Sequence, residues 1–132
     1  MVRKAIVVVA LAAGVALAAQ DLAKFVGDDL AKIKAAAPAT APARPARPRK
    51  ILVFTESARD LETARRNKGM KFVPHPSAPH CALAVAALGE KTGAFQATIT
   101  SDPRAFAPER LAAYDAIVLA NVYLESLSLI HI

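Results

Sequence analysis

The sequence predicts an α/β protein built on a parallel sheet. Three observations carry this. Two continuous apolar runs, Ile51-Leu-Val-Phe54 and Ala116-Ile-Val-Leu-Ala120, read as strands covered on both faces. Between them, Phe95, Ala97 and Ile99 alternate with Gln96, Thr98 and Thr100, the pattern of a strand with one face toward water. Helical patterns with short connections separate the three strands. A middle strand of edge character between two buried ones fits the spatial order 2-1-3. That is the flavodoxin-like opening, with a crevice at the carboxyl ends of the first and third strands.

The helices have start and stop signals. Pro79 suits a first helical position, with Ser77 or Ala78 before it. Leu83, Ala84, Ala87 and Leu88 form a stripe for packing on a sheet. Gly89 or Gly93 can end that helix in a left-handed turn. Pro108 opens a shorter helix to Tyr114, and Asp115 leads into the third strand. Ser57 to Lys71 is polar and charged, and reads as an exposed helix ended by Gly69 or as a surface loop.

The chain has 132 residues, one small domain at most. Its formal charge of +6 is unevenly placed. Residues 1–50 hold nine Lys/Arg against three Asp/Glu, whereas residues 51–132 hold eight of each. The folded part is therefore neutral and lacks the basic face a nucleic-acid-binding domain carries. Nucleic acid is set aside as a partner. The single cysteine, Cys81, makes no internal disulfide and has no zinc-ligand spacing around it. It reads as a packed thiol. No phosphate loop, no Gly-x-Ser-x-Gly and no His-Glu-x-x-His is present, and the sequence assigns neither a cofactor nor a metal.

Residues 1–18 have a secretory layout: a basic start at Arg3 and Lys4, an apolar run from Ala5 to Leu17, and Ala16-Leu-Ala18 as a cleavage pattern. The run is short for a membrane span, which needs about 20 apolar residues. The expectation is export to the periplasm or the medium with no membrane span left after cleavage. An uncleaved N-terminal anchor is the alternative. Residues 19–34 have helical spacing, with Leu22, Phe25, Val26, Leu30 and Ile33 near one face. This segment docks on the domain or frays. Residues 35–49 are Ala, Pro and Arg apart from Thr40, with four prolines, an extended tether. The domain is expected to begin near Lys50.

From Lys50 onward the chain resembles the trehalose-utilisation (ThuA-like) family. Ile51 to Thr55 matches that family's first strand. Phe72-Val-Pro-His-Pro-Ser-Ala-Pro79 looks like its Gly-Phe-x-His-x-Ser-Ile-Pro loop with one residue added. Leu88-Gly-Glu-Lys-Thr-Gly-Ala-Phe95, Asp102-Pro103, Phe106, Tyr114-Asp115 and Asn121 match in order. Two departures stand out: Ser57 to Lys71 is an insertion, and the residues after Asn121 lack the Thr and Gly usual there. The resemblance implies a class I glutamine amidotransferase-like fold, without glutaminase machinery, acting in carbohydrate use on a disaccharide or keto-sugar. It also implies that residues 50–126 are a partial domain. Leu127-Ser-Leu-Ile-His-Ile132 is the in-frame translation of a transposase sequencing adapter, so 127–132 is read as adapter sequence and given no functional weight.

The candidate residues follow from the crevice and the resemblance together. His75, between two prolines at the crevice mouth, is the candidate proton shuttle. Thr55, Glu56, Ser77 and Asn121 are candidate ligand contacts, because side chains at carboxyl ends of buried strands meet ligands in such folds. Thr55 and Asn121 equally suit hydrogen bonding to loop backbone. Asp102 is a further carboxylate near a strand end, and His80 at the helix start reads as structural. The partner implied is a small sugar. A non-catalytic sugar- or partner-binding module, or a gene fragment without function, are the alternatives, and no oligomeric state follows.

Overall fold

The computed structural model describes residues 19–66 and 75–122. Residues 1–18, 67–74 and those after Val122 lie outside the described residues, and with them the expected secretory segment, the expected helix end at Gly69, the Phe72 to Pro74 part of the loop and the 127–132 stretch. Three parallel strands, β1 (Arg49–Phe54), β2 (Phe95–Thr100) and β3 (Ala116–Leu119), form one sheet in the order β2-β1-β3. Val53 at the centre pairs with Ile99 on one side and Val118 on the other. The predicted 2-1-3 order is therefore the observed one.

Side chains alternate across the strands, and the two faces are covered unequally. Ile51, Val53, Ala97, Ile99 and Val118 share one face and pack with Ala82 and Leu83 of helix α4 (Ala78–Thr92). The same cluster takes in Leu22 and Val26 from helical residues 19–26, here α1, which are only 3% and 6% exposed. Phe25 of α1, Leu30 and Ile33 of α2 (Asp29–Ala36), and Leu61 of α3 (Ala58–Arg66) complete it. The segment that the sequence leaves free to dock or fray is docked. Its apolar stripe is large enough to cover a sheet face that α4 alone leaves open. Gly27, at φ +54°, makes the turn between α1 and α2.

On the opposite face, Phe54 is buried and meets Phe106 edge-to-face, with ring centroids 4.8 Å apart. Phe106 comes from a 3-10 turn over Pro103–Phe106, opened by Asp102, whose carboxylate accepts the Arg104 N–H. The helix expected from Pro108 to Tyr114 is only one turn, α5 (Pro108–Leu111), because the chain turns at 112–113 to enter β3 at Ala116.

β3 stands at the end of the sheet, as the 2-1-3 order requires, but its apolar run, which reads as covered on both faces, is not: Ile117 is 43% and Leu119 50% exposed. An apolar run carries no information about whether a neighbour covers it, and among the described residues nothing covers this face of β3. Leu88 is likewise half-exposed at the margin of the α4 stripe, whose centre is Ala82, Leu83 and Ala87. Of the polar stretch, Ala58–Arg66 is helix: the Ser57 hydroxyl accepts the Asp60 N–H at 3.1 Å, an N-terminal cap for α3.

The Ala/Pro/Arg stretch is held at both ends. Lys91 donates to the carbonyls of Lys34 and Ala35, which satisfies the last turn of α2. At the other end Asp115 accepts from the Lys50 N–H at 2.9 Å, from Arg49 at 3.0 Å and from Arg47. These donors, the Lys50 N–H foremost, hold the Asp115 carboxyl below the usual aspartate range. A depressed folded-state pKa contributes stability above the unfolded value of about 3.9 and loses it as pH falls through the folded one. Asp115→Asn is therefore expected to melt earlier than the parent at neutral pH. The gap should close at strongly acid pH, as read by circular dichroism melts. A gap that widens on acidification would show that the carboxylate plays no such part.

Candidate functional site

The carboxyl ends of β1 and β3 are where the sequence places the crevice. Thr55 directly follows β1 and is 2% exposed. Its N–H donates to Thr100 O at 3.0 Å, which prolongs the β1–β2 ladder by one rung. Its hydroxyl reaches toward the Ala120 carbonyl at 3.5 Å. Thr55 thus ties the ends of all three strands together. Glu56 is next and is 8% exposed. Thr55 and Glu56 line a concavity of about 280 Å³ with Ser57, Arg59, Thr100, Ser101 and, from α1, Asp21 and Leu22. Sequence reasoning missed Ser57, Arg59 and Ser101 as lining groups. Asp21 and Leu22 had no signal at all, because only tertiary docking brings α1 to this edge.

His75, Ser77 and Asn121 meet on the other side of β1. The His75 carbonyl accepts the Ala78 N–H at 2.9 Å, closing a four-residue turn. Pro76 holds its second position, where a fixed φ is favourable, and Ser77, at φ −84° and ψ −6°, has the geometry of its third. The turn runs straight into α4, with Ser77 as N-cap and Pro79 in the first turn. The Ser77 hydroxyl makes no capping bond to the helix. It lies instead 2.7 Å from His75 Nδ1 and accepts from Asn121 Nδ2 at 2.6 Å.

Proton positions follow from the donor inventory. Asn121 Nδ2 only donates, so the single Ser77 hydroxyl proton is free to point at His75 Nδ1. The Ser77 backbone N–H points to the same nitrogen at 3.3 Å. Nδ1 is therefore placed as the acceptor, the tautomer with the ring hydrogen on Nε2. Asn121 itself sits at φ +52°, a left-handed conformation that asparagine tolerates better than most residues. It bridges to Ser77 across 44 residues of sequence. A non-glycine residue held at positive φ is a local strain of the kind that concentrates at functional sites.

The structure thus joins three of the five sequence-chosen residues in one hydrogen-bonded chain and puts the other two in the adjoining concavity. His80 bonds elsewhere: Nδ1 meets the Pro76 carbonyl at 3.2 Å and Nε2 lies 3.6 Å from Asp29, linking α4 to α2. Asp102 is taken up by Arg104, which holds its carboxyl below the usual range. Cys81 is half-buried on α4 beside the core.

No family model, curated protein or solved structure matches the chain. The site must be weighed on its chemistry. Among the described residues no group of three His, Cys, Asp or Glu side chains could hold a metal ion, and no helix is long and apolar enough to cross a membrane. Two larger concavities, of about 500 and 510 Å³, lie at the amino ends of the strands. One is bordered by Arg49, Glu90, Gly93 and Gln96, the other by the Ala/Pro/Arg stretch. Size favours the amino edge, but chemistry favours the carboxyl edge. Ligands in open parallel sheets bind at the carboxyl ends, and the hydrogen-bonded imidazole, hydroxyl and amide are found there.

Proposed function

We propose that the carboxyl edge of the sheet binds a small polyhydroxylated ligand, a disaccharide or keto-sugar, as the ThuA-like resemblance implies, and that the protein serves carbohydrate use outside the cytoplasm. The observation that supports this reading is the chain Asn121–Ser77–His75. It presents an amide, a hydroxyl and an imidazole side by side, the donor and acceptor set that sugar hydroxyls require. Asn121 and Ser77 orient hydroxyl groups, and His75 passes a proton through Nδ1. Thr55 shapes the strand ends beneath the ligand, and Glu56 borders the neighbouring concavity.

A non-catalytic sugar-binding module is the second reading. It is favoured by the openness of the trio, since His75 and Asn121 are both exposed. His75→Ala in the intact protein separates the two. An enzyme loses turnover by about 100-fold or more while ligand binding persists, because general acid–base catalysis contributes on that order. A module shows no turnover of any sugar in the parent protein, with binding retained. Absence of binding to any mono- or disaccharide by calorimetry would refute both.

A further inference from the structure

We propose that Ser77 is an acyl-accepting nucleophile and that the carboxyl-edge site hydrolyses esters, an activity beyond sugar binding that uses the same three side chains but does not require a sugar. The parts needed for acyl transfer stand together. Ser77 Oγ lies 2.7 Å from an imidazole nitrogen that two donors mark as unprotonated, which is the contact that activates a serine. The hydroxyl sits at the N-terminus of α4, a 15-residue helix whose macrodipole favours a developing alkoxide. Asn121 Nδ2 donates to Oγ at 2.6 Å and retains a second N–H. That second hydrogen makes no hydrogen bond among the described residues and is assigned to the oxyanion, the part side-chain amides take in acyl-transfer sites. Because Ser77 does not cap its helix, attack breaks no structural bond within α4.

Ser77 Oγ bonds to the ester carbonyl carbon while its proton moves to His75 Nδ1. The carbon–oxygen bond to the leaving alcohol breaks, and that alcohol takes the proton from Nδ1. The acyl group is now on Ser77. Water then bonds to the acyl carbon, giving one proton to Nδ1. The bond to Oγ breaks, Oγ takes that proton back, and a carboxylic acid leaves. The second amide hydrogen of Asn121 serves the carbonyl oxygen throughout, and the exposed imidazole gives water access for deacylation.

The probe is an alkyl fluorophosphonate, with p-nitrophenyl acetate as substrate, on the whole chain. The expected result is a single phosphonyl adduct on the peptide containing Ser77 and ester hydrolysis abolished by Ser77→Ala. His75→Gln, which keeps a polar side chain in the turn, should slow labelling by about 100-fold. Asn121→Ala should lower turnover by a similar factor. No adduct at Ser77 in protein whose circular dichroism shows a folded chain would overturn the proposal. So would labelling undiminished in His75→Gln. Calorimetry with sugars on the same sample keeps the two ideas apart: sugar binding without an adduct removes only the nucleophile.

Discussion

Leu22→Ala is expected to destabilise the protein by about 2–5 kcal/mol, the range for truncating a buried leucine where the site collapses only in part. Leu22 is 3% exposed and sits in one cluster with Val53 and Ile99 of the sheet and Leu83 of α4. Its α1 neighbour Val26, 6% exposed, meets the same core, so the double variant should lose more than either alone. Urea unfolding followed by circular dichroism gives the number. If residues 19–36 hung from the domain as a tether, Leu22 would be a surface position and its loss would fall within about 0.5 kcal/mol. A boundary drawn at Lys50 would strip this cover from the sheet. The chain from Lys50 onward should accordingly fail to show a cooperative transition.

Gly89→Ala is the second large effect, and its sign is not obvious from helix propensity. Alanine inside a helix gains about 1 kcal/mol over glycine. A Cβ at Gly89, however, would lie 2.6 Å from the Phe95 carbonyl oxygen and 2.7 Å from its ring. The ring can turn away, but the carbonyl cannot. Phe95 opens β2 and is registered against Arg49 of β1, so its backbone is fixed by the ladder. The overpacking term, typically 1–3 kcal/mol and more against rigid backbone, wins. A net loss of about 1–2 kcal/mol is expected in the same urea assay. Phe95→Ala in the Gly89→Ala background should not restore stability, because the carbonyl contact stays. Full rescue would mean that the ring, not the backbone, sets the distance. Gly93, at φ +66°, is the glycine that ends α4.

What the sequence made legible follows from what each pattern encodes. Strand order was readable because Phe95 to Thr100 alternates and Ile51 to Phe54 does not, and alternation reports one-sided burial directly. The same logic failed at Ala116 to Leu119. A run of apolar side chains is equally consistent with a covered strand and with an edge whose outer face lies open. The stripe of Leu22, Val26 and Leu30 announced an amphipathic helix but not its partner, which is a tertiary fact. At the site, Pro76 and Pro79 made the turn into α4 readable. The meeting of Ser77 with Asn121, 44 positions away, depended on β3 lying beside β1, and so on the 2-1-3 order. The hydrogen-bond pattern that leaves His75 Nδ1 as acceptor was beyond any sequence signal.

The proposed ligand face is the carboxyl edge of the sheet, not the roomier amino edge. Amide and side-chain NMR shifts during titration with a disaccharide tell the two edges apart. The prediction is perturbation at Ser77, Asn121 and the His75 imidazole, with Gly93, Gln96 and Glu90 unmoved. Perturbation centred on Gly93, Gln96 and Glu90, with the Asn121 side-chain amide silent, would contradict it.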